Sequence, residues 1–343
     1  MSKLRAALAA LRKGEMIILA DDEQRENEGD FVMAAELATP AALSFMAAEA
    51  RTIITLALTP ERCAQLGLDL MAEHGGNAQD TAFTVTIEAA RGVSTGSSAR
   101  DRVRTIKAAL APKAKPADLV RPGHVFPLRA VPGGVLSRAG HTEAACDLAR
   151  LAGLAPAGLI SEIQLPDGRM ARMPDLKKIA ARHKLVLTTI ADLIAYRLQK
   201  ESLIRLVRSG PFATAHGRMK LHVYEDTVTG RSHVALVKGR RSRRPPLVRV
   251  MVQPNSLDYL GTSPRGSLSM PRALERLAAE SHAVLLLLQV DRPAPFEAPA
   301  PERRREAKSE QRVRTYGIGA QILRDLGVRD MRLLSSPLRL PSM

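Results

Sequence analysis

The stretch MIILADDEQRENEGDFVMAAE (residues 16–36) places six carboxylates and one arginine between two apolar runs, MIILA (16–20) and FVMAA (31–35). Carboxylates crowded so closely repel one another unless something cationic lies among them. One interpretation is a divalent cation site, because Mg²⁺ prefers oxygen ligands. The other is a solvated acidic turn between two strands, and for an acidic run taken alone this is the favoured interpretation.

Helices and strands alternate outward from this stretch to about residue 200. Apolar positions at helical spacing predict helices, whereas continuous or alternating apolar runs predict strands. The predicted helices cover 40–50, 60–68, 99–110, 141–154 and 173–185, and the predicted strands cover 52–58, 82–89 and 157–164. Such interleaving is typical of an α/β or α+β domain. A last helix near 190–202 closes this domain, to which we assign residues 1–200.

A second domain is predicted over residues 205–343. The pattern gives two strands around the turn TVTG within 217–239, helices at 270–280 and 315–328, and strands at 283–290 and 331–334. Residues 291–311 are rich in Pro, Ala and charge, a composition that buries too little apolar surface to order itself. We predict that this segment is a flexible insertion.

Length and composition indicate where the protein works. A chain of 343 residues with 45% apolar content suits two globular domains. No run reaches the ~18 uncharged apolar residues of a membrane span, and residues 1–19 have the pattern of an amphipathic helix without a signal-peptide core. The two cysteines, Cys63 and Cys146, are too few for a disulfide framework. These features predict a cytoplasmic protein without a membrane segment.

The positive charge is concentrated in the second half. Of the net +16, residues 201–343 carry 25 Lys and Arg against 13 Asp and Glu, or +12. Clusters such as KGRRSRR (238–244) and RRR (303–305) could release counterions from nucleic-acid phosphates. Aromatic residues make up only 3% of the chain, so platforms for base stacking are few, and no nucleic-acid-binding motif is present. A solvated basic surface is therefore favoured over a nucleic-acid partner.

RPGHVFPLRA (121–130) and LISEIQ (159–164) each contain a side chain suited to proton transfer. Pro122 and Gly123 predict a defined turn that holds His124 rigidly enough for acid–base work. The alternative is a histidine that satisfies local hydrogen bonds. Glu162 is a carboxylate inside an apolar strand, an unfavourable place unless it is paired or catalytic.

SRAGHTEAACDLARLAG (137–153) places Arg138, His141 and Thr142 where a glycine-containing loop enters a helix. The N–H groups and dipole of a helix N-terminus favour phosphate, and arginine adds charge-assisted hydrogen bonds. The alternative is a helix that is merely capped by Thr142.

Together these motifs resemble one enzyme family. The segments DDEQRENEGDFVMAAE, TAFTVTIEA, GVSTG, RPGHVFPLRA, GGVLSRAGHTEAACDLARLAG and PAGLISEI are similar to the successive signatures of 3,4-dihydroxy-2-butanone 4-phosphate synthase, over about residues 4–198. That family serves riboflavin biosynthesis and converts D-ribulose 5-phosphate into the four-carbon ketone phosphate and formate. The resemblance implies the same reaction here, with Mg²⁺ or Mn²⁺, on a homodimeric α/β fold.

The resemblance also implies residue roles. Glu26 and His141 become the metal ligands, and His124 and Glu162 become the acid–base pair. The implied substrate contacts are Arg25, Glu26, Asp30, Arg138, Ala139, Gly140, His141, Thr142 and Glu162. These residue types suit the chemistry, because a divalent ion polarises substrate oxygens and the rearrangement needs repeated proton transfers. Thr55 stands where many members carry a cysteine, and we take that position to be supporting.

The second half resembles GTP cyclohydrolase II through HVALVKG (233–239), PLVRV (246–250) and YGIGAQILRDLGV (316–328). That family binds zinc through three cysteines, and the corresponding positions here are Pro254, Arg265 and Ser267. Its phosphate-binding motif is replaced by QVDRP (289–293), Arg312 takes the proton-acceptor aspartate position, and Arg314 matches the nucleophilic arginine. None of the three substitutes is a credible zinc ligand. We therefore expect a degenerate domain without zinc and without cyclohydrolase activity.

Two alternatives stay open. The protein could be bifunctional, with a rebuilt cyclohydrolase site. It could also be a non-catalytic regulator that binds RNA or a protein through the basic C-terminal half.

Overall fold

Residues 2–23, 25–72, 81–239, 244–252, 268–289 and 306–334 are described by a computed structural model of the chain. The chain divides into two compact units, Met1–Arg197 and Leu198–Met343, each built on its own sheet. The predicted mixed α/β fold is confirmed. No helix within the described ranges is long and apolar enough to cross a bilayer.

The first unit contains a seven-stranded mixed sheet in the order β4-β5-β3-β6-β2-β1-β7. Its strands are β1 (Ile17–Ala20), β2 (Gly29–Ala34), β3 (Thr55–Leu58), β4 (Ile87–Ala89), β5 (Leu119–Arg129), β6 (Ala157–Glu162) and β7 (Val186–Thr189). Its helices are α1 (Ser2–Arg12), α2 (Pro40–Ala50), α3 (Pro60–Leu66), α4 (Ala99–Leu110), α5 (His141–Leu151), α6 (Met173–His183) and α7 (Ile190–Lys200).

Both faces of this sheet are covered, which explains why β1 and β2 are continuous apolar runs. Every residue of β1 and β2 is buried. Phe31 and Met33 pack into a core with Leu43 and Met46 of α2. Their neighbours on β2 point to the other face, because side chains alternate along a strand, and α1 and α5 pack there. The face that α5 covers, which carries Asp30, is the one that matters for function.

Pro122 and Gly123 lie within strand β5, where its pairing with β4 shifts from Val125–Ile87 to Val120–Glu88, so the predicted turn is an irregularity inside a strand. A Cβ atom on Gly123 would lie only 2.1 Å from the carbonyl carbon of Ile87. The Gly123 N–H also donates to Thr86 Oγ1 at 3.0 Å. The glycine is needed because the backbone of β4 approaches closely, which a sequence pattern does not distinguish from a turn.

The second unit contains a six-stranded sheet in the order β13-β11-β12-β10-β9-β8. Its strands are β8 (Ile204–Thr214), β9 (Gly217–Asp226), β10 (Ser232–Gly239), β11 (Leu247–Val252), β12 (His282–Leu288) and β13 (Arg332–Leu333), and its helices are α8 (Met270–Ala278) and α9 (Glu306–Asp325). The two helices contribute to two separate apolar clusters: Leu277 packs with Leu285, whereas Ile322 packs with Val284 and Leu286. Adjacent residues of β12 therefore pack into different apolar clusters.

The structure of this unit differs from the sequence prediction in two places. Strand β8 was not predicted, because its residues are mostly exposed and lack a buried apolar pattern. Helix α9 begins at Glu306, inside the predicted insertion 291–311, so its last six residues are helical rather than flexible. The rest of that insertion, together with Pro254, Arg265 and Ser267, lies outside the described residues.

Candidate active site

The acidic loop between β1 and β2 is folded around the carboxylate of Asp21. The backbone N–H groups of Glu26 and Glu28 donate to its two oxygens at 3.1 and 2.8 Å. Arg25 Nη1 lies 3.0 Å from Asp21 Oδ2 and 2.6 Å from Glu26 Oε2. Arg25 therefore neutralises part of the carboxylate charge of the loop.

His141, the first residue of α5, reaches this loop from the helix N-terminus. Its Nδ1 lies 3.9 Å from Glu26 Oε2, and its Nε2 lies 3.7 Å from Asp30 Oδ1 and 3.2 Å from the carbonyl oxygen of Leu19. One ligand atom each from Asp21, Glu26 and His141 lies within 4.8 Å of the others. The structure thus brings together residues that are up to 120 positions apart in the chain.

Glu162 ends strand β6 and lies directly opposite Asp30 on β2. Cross-strand partners point to the same face of a sheet. Asp30 is buried, and its Oδ1 has no hydrogen-bond partner, while Glu162 is exposed at the strand end. The expectation that Glu162 lies inside the strand is refined: it closes the strand at the rim of the site.

The site holds more negative charge than its surroundings neutralise. Burial, followed by the charges of Glu162 and Glu26, raises the pKa of Asp30. The same three causes raise the pKa of Glu28 to about 7. Partial desolvation and the charge of Glu26 raise the pKa of Glu162. Burial lowers the pKa of His141, which favours the neutral imidazole that binds metals. A proton or a cation would relieve this crowding.

His124 lies on β5 and is oriented by a carboxylate outside the acidic loop. Its Nδ1 is 2.7 Å from Glu88 Oε2 on β4. Thr55 of β3 pairs with Phe126 of β5 on one side and with Ile160 of β6 on the other. His124 comes two residues before Phe126, and Glu162 comes two residues after Ile160. Because β5 runs parallel and β6 antiparallel to β3, both residues lie at the same end of the sheet. Strand β3 lies between the two strands that carry them. No hydrogen bond or ion pair joins them within the described chain.

The segment from Arg138 to Thr142 leads into α5, as predicted. Arg138 Nη1 donates to Glu143 Oε2 at 2.8 Å. The N-cap of the helix is Gly140, so the alternative of a Thr142 cap is wrong. A Cβ atom on Gly140 would lie 2.5 Å from both Arg138 Nη1 and Glu143 Oε2. Gly140 therefore leaves room for this ion pair. Ala139, His141 and Thr142 are buried.

Sequence reasoning missed two contributors. Asp21 was part of the quoted acidic run, but its role as the anchor of the loop depends on backbone N–H groups five and seven residues later. Glu88 lies in the strand-like run AFTVTIEA, where a carboxylate among apolar residues was the same signal that singled out Glu162. That signal could have identified Glu88 as a partner for a histidine.

Carboxylates that lie side by side on neighbouring strands, next to an imidazole whose burial favours the neutral form, are typical of an α/β enzyme equipped for proton transfer. Residues 5–196 match the family model of 3,4-dihydroxy-2-butanone 4-phosphate synthase, and residues 205–343 match that of GTP cyclohydrolase II. The chain therefore belongs to the 3,4-dihydroxy-2-butanone 4-phosphate synthase family, whose enzymes act in riboflavin biosynthesis. The resemblance inferred from the motifs is confirmed for both halves.

Individual relatives support this assignment along the whole chain. A 3,4-dihydroxy-2-butanone 4-phosphate synthase of Pseudomonas aeruginosa is 47% identical over 341 residues, covering 96% of this chain and 92% of the relative. RibBX, a two-domain 3,4-dihydroxy-2-butanone 4-phosphate synthase from A. baumannii, has a crystal structure similar to 98% of this chain and 94% of its own, with 43% identity and a TM-score of 0.84. A synthase in complex with two magnesium ions matches 57% of this chain and 96% of its own, with 40% identity and a TM-score of 0.55.

Proposed function

We propose that the first unit converts D-ribulose 5-phosphate into 3,4-dihydroxy-2-butanone 4-phosphate and formate at the acidic loop. The observation that carries this proposal is the convergence of Glu26, Asp30 and Glu162 with His141 on one face of the sheet. These are residue types that the reaction needs, and the family assignment supplies the substrate.

The residues present fit a divalent cation. Both oxygens of Asp21 accept hydrogen bonds from backbone N–H groups, and Oδ2 also contacts Arg25, so we assign Asp21 as the anchor of the loop. Glu26 and His141 are then the cation ligands, an oxygen and a neutral nitrogen. A 40% identical synthase has been solved in complex with two magnesium ions, which supports a divalent cation in the reaction. A bound Mg²⁺ or Mn²⁺ supplies Lewis-acid polarisation of substrate oxygens.

Glu162 and His124 are the proposed acid–base groups. A carboxyl with a raised pKa at an exposed strand end can hold a proton and release it to a bound substrate. Glu88 orients the ring of His124 through Nδ1, which leaves Nε2 for proton transfer. Because both residues stand at the same end of the sheet, on strands separated only by β3, a substrate bound at this end could exchange protons with each.

The remaining predicted residues are proposed to bind the sugar phosphate. Arg25 and Arg138 each form an ion pair with a carboxylate, and phosphate can compete for such guanidinium groups. Gly140 and Thr142 lie at the N-terminus of α5, where the helix dipole favours an anion.

We infer that the second unit lacks GTP cyclohydrolase II activity and zinc. Both cysteines of the chain, Cys63 and Cys146, lie in the first unit, so residues 205–343 offer no thiolate to zinc. The unit keeps its cores, and we assign it a packing or regulatory role in the synthase. A bifunctional enzyme with a rebuilt site, and RNA binding through the basic surface, are the alternatives.

We further propose a homodimer that works in the cytoplasm and binds no nucleic acid. Both cysteines are buried free thiols, as expected in a reducing compartment.

Incubating purified protein with D-ribulose 5-phosphate and Mg²⁺ tests the synthase proposal directly. Formate should form at one equivalent per substrate, stop when EDTA removes the cation, and resume when Mn²⁺ or Mg²⁺ is restored. Absence of formate from folded, cation-loaded protein would refute the proposal.

A further inference from the structure

Arg172 reaches the acidic loop from the N-terminus of α6. Its Nη1 donates to the carbonyl oxygen of Glu26 at 2.7 Å and also to the carbonyl oxygen of Asn27. The same nitrogen lies 3.9 Å from Glu28 Oε1. These contacts span about 145 residues of sequence. They are made to backbone carbonyl groups, whereas Asp21 accepts from backbone N–H groups of the same loop.

The backbone of Asn27 explains why one arginine can bind two successive carbonyls. Its φ of 57° lies in the left-handed region, which Asn tolerates better than most residues. The carbonyl oxygens of Glu26 and Asn27 consequently converge on a single nitrogen. Without a cationic donor, two carbonyl oxygens would point toward the same space beside several carboxylates.

A second contact ties the same helix to the end of the loop. Leu176 lies four residues after Arg172, and residues at that spacing share one side of a helix. A Cβ atom on Gly29 would lie 2.4 Å from Leu176 Cδ1. Helix α6 therefore packs against the loop at Gly29 while Arg172 holds its middle.

We propose that Arg172 is a positioning residue for the divalent cation. It immobilises the peptide between Glu26 and Asn27, and this directs the Glu26 carboxylate toward His141. Asp21 holds the N–H side of the loop and Arg172 holds the carbonyl side, so both are required for one defined orientation. The inference rests on the proposed assignment of Glu26 as a cation ligand.

The test compares full-length wild type with Arg172→Met, Arg172→Lys and Glu26→Gln. Arg169→Ala is the matched control, because Arg169 lies on the same segment, is exposed and pairs with Asp167. Mn²⁺ affinity is measured by electron paramagnetic resonance. Hydrogen exchange of the Glu26 and Glu28 amides is measured in metal-free protein, and circular dichroism verifies folding.

Partners that orient a metal ligand typically contribute about 10–100-fold in affinity, so Arg172→Met should weaken Mn²⁺ binding by about tenfold or more. The Mn²⁺ affinity of Arg172→Lys, which keeps a donor, should lie between those of wild type and Arg172→Met. In metal-free protein, Arg172→Met should accelerate exchange of both amides, while Arg169→Ala should stay within about twofold of wild type on both measurements.

The Glu26→Gln variant separates the two claims. If it binds Mn²⁺ as tightly as wild type, the ligand assignment is refuted, and amide exchange alone then decides whether Arg172 holds the loop. If Glu26→Gln weakens binding while Arg172→Met changes neither Mn²⁺ affinity nor exchange, the positioning role is overturned and the cation site stands.

Discussion

Asp30 and Glu162 are directly opposed on the antiparallel strands β2 and β6. Like charges in such a pair repel each other, and here Asp30 is also buried. Burial is the first cause of the raised pKa of Asp30, and the charge of Glu162 is the second. The strand ends are therefore least strained when a proton or a cation is present. An enzyme that uses both has a reason to keep this unfavourable pair.

Asp30→Asn should stabilise the metal-free protein while removing synthase activity. Because the folded pKa of Asp30 lies above its unfolded value, the native state binds more protons, and stability is lost as pH rises from about 4 toward the folded pKa. Asp30→Asn has no carboxyl group to ionise at this position and does not lose stability in this way. Its free energy of unfolding should therefore exceed that of wild type by a margin that grows with pH and reaches about 1–2 kcal/mol. Urea denaturation at pH 5 and pH 8 measures it. An advantage that shrinks with increasing pH would contradict the electrostatic explanation.

Glu26→Gln and His141→Ala should each abolish formate production while leaving the fold intact. Each variant removes one of the two proposed protein ligands of the cation. Formate release and calorimetric Mg²⁺ titration check both consequences. Glu36→Gln is a suitable control, since Glu36 lies outside the site, where it accepts a hydrogen bond from the N–H of Ala155. Near-normal turnover in either ligand variant would refute its assignment.

His124→Gln and Glu162→Gln should stop turnover but leave substrate binding measurable, because acid–base groups act chiefly on the chemical steps. Loss of kcat by about 10²–10⁴-fold is expected for each. Glu88→Gln should give a smaller loss, because it orients His124 rather than exchanging protons itself. Steady-state kinetics and substrate titration distinguish these effects. If the losses fell mainly on KM, a binding role would replace the catalytic one.

The full chain should contain no stoichiometric zinc and should release neither formate nor pyrophosphate from GTP. Residues 205–343 include no cysteine, and fold similarity does not replace the chemistry of a site. Metal analysis after purification without chelators gives the zinc content. GTP turnover is followed by pyrophosphate release, which the synthase reaction cannot produce. One zinc per chain together with GTP-dependent pyrophosphate would establish a rebuilt second site.

Tyr224→Phe should destabilise the second unit. Tyr224 on β9 is fully buried, and its hydroxyl donates to Asp325 Oδ2 on α9 at 2.7 Å. Hydrogen bonds to charged groups contribute about 1.5–3 kcal/mol, and the variant leaves the Asp325 carboxylate without this donor. The free energy of unfolding should fall by that amount in urea denaturation. Tyr196→Phe, at a tyrosine whose hydroxyl has no hydrogen bond within the described chain, should change it little.

Local patterns were sufficient wherever an element's own residues decide its structure. The helices Pro40–Ala50 and Ala99–Leu110 have the predicted bounds, because Thr39 and Ser98 cap them and the apolar spacing is helical. Strand β8 was missed because its mostly exposed residues leave no periodic signal, and the first turns of α9 were missed because charged residues dominate that stretch of sequence. Gly123 was misread for a related reason: the backbone that approaches it belongs to another strand.

The sequence by itself determined the family, the two-domain division and the mixed α/β class, and it supplied the residues of the proposed site, because ordered motifs and apolar periodicity are local properties. Tertiary structure alone decided which atoms meet. Asp21 as the anchor of the loop, Glu88 as the partner of His124, and Arg172 on the carbonyls of Glu26 and Asn27 all depend on chain segments that only the folded sheet and its covering helices bring together. Distances of a few ångströms between residues far apart in sequence follow from strand register and helix packing, which no local pattern encodes.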